Sequence, residues 1–124
     1  MNITAVLKRP RLLAALTGVT QEEFNALLPV FEHSVLEDKR LRSVAKHRRF
    51  GGGAKGRLTS ATHQLFFILV YIKTYPTFDF LGFVFSLHRS KAHRNTVRLI
   101  GSLEKALGRK LVLPEKKISS MEEF

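Results

Sequence analysis

The sequence contains no cysteine, and only 10 of its 124 residues are acidic. The lack of cysteine excludes disulfide bonds and zinc sites built on thiolates. No two of the five histidines lie four residues apart with a glutamate, so a zinc-protease helix is absent. The few acids do not form the convergent carboxylate set that two-metal nuclease chemistry needs. Gly51 to Arg57 lacks the ending of a nucleotide-binding P-loop. We therefore predict no catalytic residue, no metal and no cofactor.

Residues 1–16 contain only short apolar pieces, so we expect no signal peptide, and the sequence has no uninterrupted apolar run of membrane-spanning length. The most apolar stretch is 65–87, but Lys73, Pro76 and Asp79 lie within it. Ionised groups are costly in hydrocarbon, and each apolar half is too short to span a bilayer. We interpret the stretch as two buried helices joined by a turn, with Asp79 capping a helix or pairing with a neighbour. We expect a cytoplasmic protein without a membrane partner.

Positive charge is abundant. There are 21 Lys and Arg residues against the 10 acids, which gives a net charge of +11 at pH 7. The positive charges of so basic a small domain repel one another, and binding an anionic partner offsets that repulsion. Nucleic acid is the commonest such partner, while ribosomal RNA and an anionic membrane surface are the alternatives.

The apolar pattern predicts one all-α domain of four or five helices at 1–108. A weak helix over 2–16 breaks near Pro10 and stops by Gly18. Thr20 and Glu23 form a capping box for a helix that reaches about residue 45, interrupted by Pro29. Its apolar stripe consists of Phe24, Leu27, Leu28, Phe31 and Val35.

A Gly-rich basic loop is expected at 46–58, followed by a helix that Thr59 or Ser60 caps and that ends before Pro76. The run 65–72 is apolar nearly all round, which is typical of a central helix, although its composition also suits a buried strand. Thr77 caps a short helix over 78–85, residues 87–89 make a turn, and Ser90 caps a last helix over 91–107. The tail at 109–124 is expected to be extended.

The last two helices fit a helix-turn-helix. On the second, one face is predicted to enter the core, consisting of Ala92, Thr96, Leu99, Leu103 and Leu107. Lys91, Arg94, Asn95 and Arg98 share another face, where Arg, Lys and Asn can bond base edges in the major groove. Arg89, Ser90 and the free amides of the first turn can meet phosphates. The alternative is an ordinary solvated helix surface.

A second basic cluster runs from residue 39 into the Gly-rich loop, and no acid interrupts it. It consists of Lys39, Arg40, Arg42, Lys46, Arg48, Arg49, Lys55 and Arg57. Such a segment can follow a phosphate backbone, or it can simply be a solvated loop.

The order of these motifs resembles the N-terminal helix-turn-helix domain of bacterial insertion-sequence transposases of the insertion sequence 5 type, in the DDE superfamily. The resemblance runs from about residue 12 to 124. It rests on Leu16-Thr17-Gly18-Val19-Thr20, the Gly-rich stretch 51–58, Lys73-Thr74-Tyr75-Pro76-Thr77, Leu87-His88-Arg89-Ser90-Lys91-Ala92 and the tail residues 113–118.

The resemblance implies that this domain binds the terminal inverted repeats of an insertion element, as double-stranded DNA near the bacterial nucleoid. In that family a separate DDE domain then cuts and joins the DNA. The tail at 109–124 would lead toward that nuclease domain, which the 124 residues do not include. We therefore expect either the first reading frame of a split gene or a truncated copy, partnered by a DDE nuclease subunit or a frameshift product. A homodimer, a stand-alone regulator of the element's transcription and a basic RNA- or ribosome-associated protein stay open.

Overall fold

The structure, a computed structural model, describes residues 1–45 and 60–108. These residues form six helices and no strand, which confirms the all-α prediction. The helices are α1 (Ile3–Leu7), α2 (Pro10–Thr17), α3 (Gln21–Ala45), α4 (Ala61–Thr74), α5 (Phe78–Phe85) and α6 (Arg89–Leu107). The helix predicted over 2–16 is two helices in the structure, because α2 begins at Pro10. The first N–H groups of a helix have no acceptor within it, so the N–H that proline lacks costs nothing there.

Local capping signals predicted several helix ends correctly. Gly18 ends α2 in the left-handed conformation at φ 76°. The Glu23 amide donates to Oγ1 of Thr20 at 3.1 Å, while the Thr20 amide donates to Oε1 of Glu23 at 2.9 Å, so the predicted capping box is formed. Ser60 and Thr77 cap α4 and α5 through the amides of His63 and Phe80.

Helix α4 lies at the centre of the domain and packs against α2, α3 and α6. Its residues from Leu65 to Tyr71 are all buried, as the all-round apolar run predicted. Of the apolar stripe on α3, Phe24 and Phe31 are buried and the other three residues are half-buried. No helix in the two described segments is long and apolar enough to cross a membrane.

Helix α5 corrects one expectation, because only one of its sides is buried. Leu81 and Phe85 enter the core, where the rings of Phe85 and Phe67 make a T-shaped contact at a centroid distance of 4.9 Å. Phe80 is 60% exposed and Phe83 is 84% exposed. The interpretation of 65–87 as two buried helices is therefore right for α4 and wrong for α5.

The predicted Gly-rich loop at 46–58 and the predicted tail at 109–124 lie outside the described residues.

Candidate nucleic-acid interface

Helices α5 and α6 pack against each other and are joined by residues 86–88. Ser86 ends α5 in the left-handed conformation at φ 57°, a position that favours glycine. The Leu87 amide then donates to the carbonyl oxygen of Gly82 at 2.7 Å. The chain returns so closely over α5 that a Cβ on Gly82 would overlap the Leu87 carbonyl oxygen. A tight three-residue connection of this kind is what a helix-turn-helix requires.

The start of α6 differs from the prediction. The helix begins at Arg89, and its N-cap is His88 rather than Ser90. The Nδ1 atom of His88 accepts from the Ser90 amide at 3.2 Å and lies 2.9 Å from the Ser90 Oγ. The prediction favoured Ser90 because serine is a preferred N-cap residue and histidine is not. The Ser90 side chain therefore sits in the first turn of α6, bonded to the cap.

Four of the predicted contact residues lie together on the exposed N-terminal part of α6, namely Arg89, Ser90, Lys91 and Arg94. Arg89 lies near an acid, since its Nε is 3.7 Å from the Oδ2 of Asp79. Their side chains are 67% and 77% exposed, so the ion pair is a solvated one. Asp79 thus pairs with a neighbour, as expected from the sequence. The N-terminal part of α6 presents Lys91 and Arg94 to solvent.

The structure separates Asn95 and Arg98 from that exposed group. Both are half-buried, and the Arg98 Nη2 donates to the Asn95 Oδ1 at 2.9 Å. Burial, and then the charge of Arg42 on α3, lower the pKa of Arg98 from its ordinary value. The predicted polar face of α6 therefore divides, with Lys91 and Arg94 facing solvent and Arg98 held near α3.

Polar contacts fasten α6 to α3. The Ser34 Oγ donates to the Ser102 carbonyl at 2.6 Å, and the Ser102 Oγ donates to the Asp38 Oδ2 at 2.7 Å. Lys105 donates to the other oxygen of Asp38. Burial alone raises the pKa of Asp38, but the hydrogen bonds from Lys105 and Ser102, with the charges of Lys105 and Arg42, lower it overall. These contacts set the position of α6 on the domain.

The buried face of α6 follows the prediction except at its end. Ala92, Thr96, Leu99 and Leu103 are buried, whereas Leu107 is 37% exposed because the helix ends at Gly108 beyond the packed core. Val97 was not predicted as a contact residue, yet it is 60% exposed on α6 beside the basic group. Its position between Arg94 and Arg98 in the sequence was the available signal, because thymine methyl groups favour apolar contacts.

The other predicted phosphate contacts, Arg48, Arg49, Lys55 and Arg57, lie outside the described residues. Within the two described segments, no group of three histidines or acids could hold a metal ion.

Helices α4, α5 and α6 lie in the part of the chain that matches a known family model. Residues 56–108 match the family model of the helix-turn-helix of DDE superfamily endonuclease. The match confirms the resemblance to transposase helix-turn-helix domains for this region, and it supports double-stranded DNA as the partner. The matched description covers the helix-turn-helix and not a nuclease domain. No curated protein and no solved structure matches the chain.

Proposed function

We propose that this protein recognises double-stranded DNA sequence-specifically at the terminal inverted repeats of an insertion element, as the DNA-addressing part of a transposase. The observation that carries the proposal is the exposed group of Lys91 and Arg94 on the second helix of a helix-turn-helix. In such motifs the N-terminal residues of the second helix contact base edges in the major groove. The net charge of +11 favours a polyanionic partner.

Each residue of the interface has a role in this proposal. Arg94 and Lys91 reach base edges, where either can bond the O6 and N7 of guanine. Arg89 and Ser90, with the free amides of the first turn of α6, meet phosphates and fix the register of the helix. The additional phosphate contacts come from Arg48, Arg49, Lys55 and Arg57.

The chemistry of transposition belongs, in this proposal, to a DDE nuclease in another subunit or a frameshift product. The 124 residues themselves act as a binding module rather than an enzyme. The site of action is the bacterial nucleoid.

A competition experiment tests sequence recognition. The protein's affinity is measured for duplexes carrying the ends of the element that encodes it, and for scrambled duplexes of the same composition, at two salt concentrations. We expect both affinities to fall with salt, and the end sequence to be preferred by at least roughly a thousandfold, the lower range for specific over non-specific binding. Equal affinity for both duplexes would leave a general polyanion binder and refute the proposal.

A pair of variants tests which part of the chain reads sequence. Arg94→Ala is expected to reduce the preference for the end sequence, because Arg94 reaches base edges. Lys55→Ala removes the same charge from a proposed phosphate contact and is expected to weaken binding to both duplexes equally. If both variants weaken binding uniformly, the assignment of α6 as the reading helix is wrong.

A further inference from the structure

The place where α3 crosses α6 holds more positive than negative charge. Lys105 donates to Asp38, and the charge of Arg42 acts on both Asp38 and Arg98. One carboxylate, that of Asp38, is therefore grouped with three cations, which are Lys105, Arg42 and Arg98. Asp38 accepts a hydrogen bond from Ser102 on one carboxylate oxygen and from Lys105 on the other. Both oxygens are therefore already engaged.

Arg98 is the member whose hydrogen bonding is incomplete. Its Nη2 donates to Asn95, but its Nε is buried and has no hydrogen-bond partner within residues 1–45 and 60–108. A buried donor without a partner costs free energy, and a charged one costs more. The neighbouring charge of Arg42 adds repulsion instead of relieving it. An anion that drew the Arg98 guanidinium group outward and bound it together with that of Arg42 would relieve both costs.

We propose that Arg98 and Arg42 form a phosphate-binding subsite that takes one backbone phosphate of the DNA to which α6 docks. This inference rests on the proposed function. The planar, forked guanidinium group bonds phosphate oxygens with two parallel N–H groups. Arg98 lies one turn beyond Arg94, about 6 Å along the helix axis. A phosphate bordering the groove that Arg94 reads is therefore within its reach. In this subsite Arg98 contacts the DNA backbone and not a base edge, and Arg42 makes α3 part of the DNA-binding surface.

The test combines a variant with a change in the DNA. A single uncharged methylphosphonate replaces each phosphate in turn along a duplex that the protein binds. For the wild-type protein, one position in each binding site should lower affinity roughly tenfold, the size expected for a charge-assisted hydrogen bond. For Arg42→Gln, the same position should have clearly less than the tenfold effect, because one of the two guanidinium groups of the subsite is already lost while Arg98 remains. Arg42→Gln should also reduce the slope of log affinity against log salt by about 0.9.

Arg40→Gln is the matched control. It removes the same side chain from the same helix, but Arg40 is exposed and pairs with Glu37. This variant should keep the full tenfold effect at the sensitive phosphate. The thermal midpoint of the free protein separates binding from folding: Arg42→Gln should stay close to the wild type, because it removes both a repulsion with Arg98 and an attraction to Asp38. A lower midpoint with an unchanged methylphosphonate profile would make Arg42 a structural residue and overturn the subsite.

The outcomes also separate the subsite from the proposed function. If the protein prefers element ends but Arg42→Gln keeps the wild-type profile, the subsite is refuted and the function stands. If the coupling between Arg42 and one phosphate is found without any sequence preference, the subsite stands and specific recognition fails. Failure to bind any duplex refutes both.

Discussion

The amide of Leu87 donates to the carbonyl oxygen of Gly82 at 2.7 Å, directly across the turn between α5 and α6. The bond brings the Leu87 carbonyl group over the Gly82 Cα, where only a hydrogen atom fits. The angle at which α6 leaves α5 therefore depends on a glycine inside α5. Because α6 presents Arg94, this turn connects the stability of the fold to the proposed DNA contacts.

Gly82→Ala is expected to lower the free energy of unfolding by about 1–3 kcal/mol, because the new Cβ must displace backbone atoms of the turn. Denaturant unfolding measures the loss. Gly101→Ala is the control: it lies within α6, a Cβ there meets nothing within 4 Å, and alanine stabilises a helix by roughly 0.5–1 kcal/mol relative to glycine. Equal stability of the two variants would contradict the geometry of the turn.

Ser86→Gly is expected to stabilise the protein. Ser86 is held at φ 57°, a conformation that costs an L-residue roughly 1–2 kcal/mol, and glycine removes this cost at the expense of some additional chain entropy. We expect a net gain of about 0.5 kcal/mol in thermal or denaturant unfolding. A clear loss of stability would show that the turn does not place residue 86 in the left-handed region.

Asp38→Asn is expected to lower the free energy of unfolding by about 1 kcal/mol at pH 7, because the carboxylate accepts from Ser102 and Lys105. The loss is small because Lys105 is 63% exposed and water screens its charge. The folded state lowers the pKa of Asp38 below the ordinary 3.8. The stabilisation is therefore fully present above that value and is lost as pH falls through the lower, folded pKa.

Unfolding measured between pH 7 and pH 2 checks this sign. The difference between wild type and Asp38→Asn should be constant at neutral pH and shrink below about pH 4. Glu32→Gln, which removes an exposed acid from the same helix, should leave stability unchanged across the range. A difference that grows on acidification would contradict the role of Asp38.

Asp79→Asn is expected to strengthen DNA binding roughly two- to fivefold at low salt, because it removes a negative charge beside Arg89. The gain should be the same for specific and scrambled duplexes, since phosphate contacts carry no sequence information. Fluorescence anisotropy with both duplexes measures it. A gain confined to one sequence would mean that Arg89 contacts bases.

Arg94→Ala is expected to reduce discrimination between the element end and a scrambled duplex by about 1–3 kcal/mol, the range for a base contact from arginine. Asn95→Ala should change it less than threefold, because the Asn95 Oδ1 already accepts from Arg98 and is poorly placed to read adenine. If Asn95→Ala has the larger effect, the hydrogen bond to Arg98 opens on DNA and Asn95 is the reader.

Local chemistry explains which features the sequence predicted. Thr20, Ser60 and Thr77 each accept from the amide three residues further along, so each cap could be predicted from its neighbours in the sequence. His88 was missed because histidine seldom fills that position. Periodicity placed the buried face of α6, including Ala92 and Leu99, since a helix has a fixed repeat.

The features that could not be predicted from the sequence arise mainly from the packing of α3 against α6. Ser34 and Asp38 bond residues 64 to 68 positions away, and no local pattern reports such pairs. The division of the polar face follows from that packing, because the neighbouring helix decides that Arg98 is half-buried while Arg94 is exposed. Exposure of Phe80 and Phe83 also depends on which side of α5 meets the core.

Methylation interference tests most directly whether the N-terminal part of α6 enters the major groove of duplex DNA. Methylation of guanine N7 blocks the major groove, and methylation of adenine N3 blocks the minor groove. We expect N7 methylation at specific guanines to prevent binding by the wild-type protein, and Arg94→Ala to lose sensitivity at one of them. Interference only at adenine N3, or none at any base, would contradict this placement of α6.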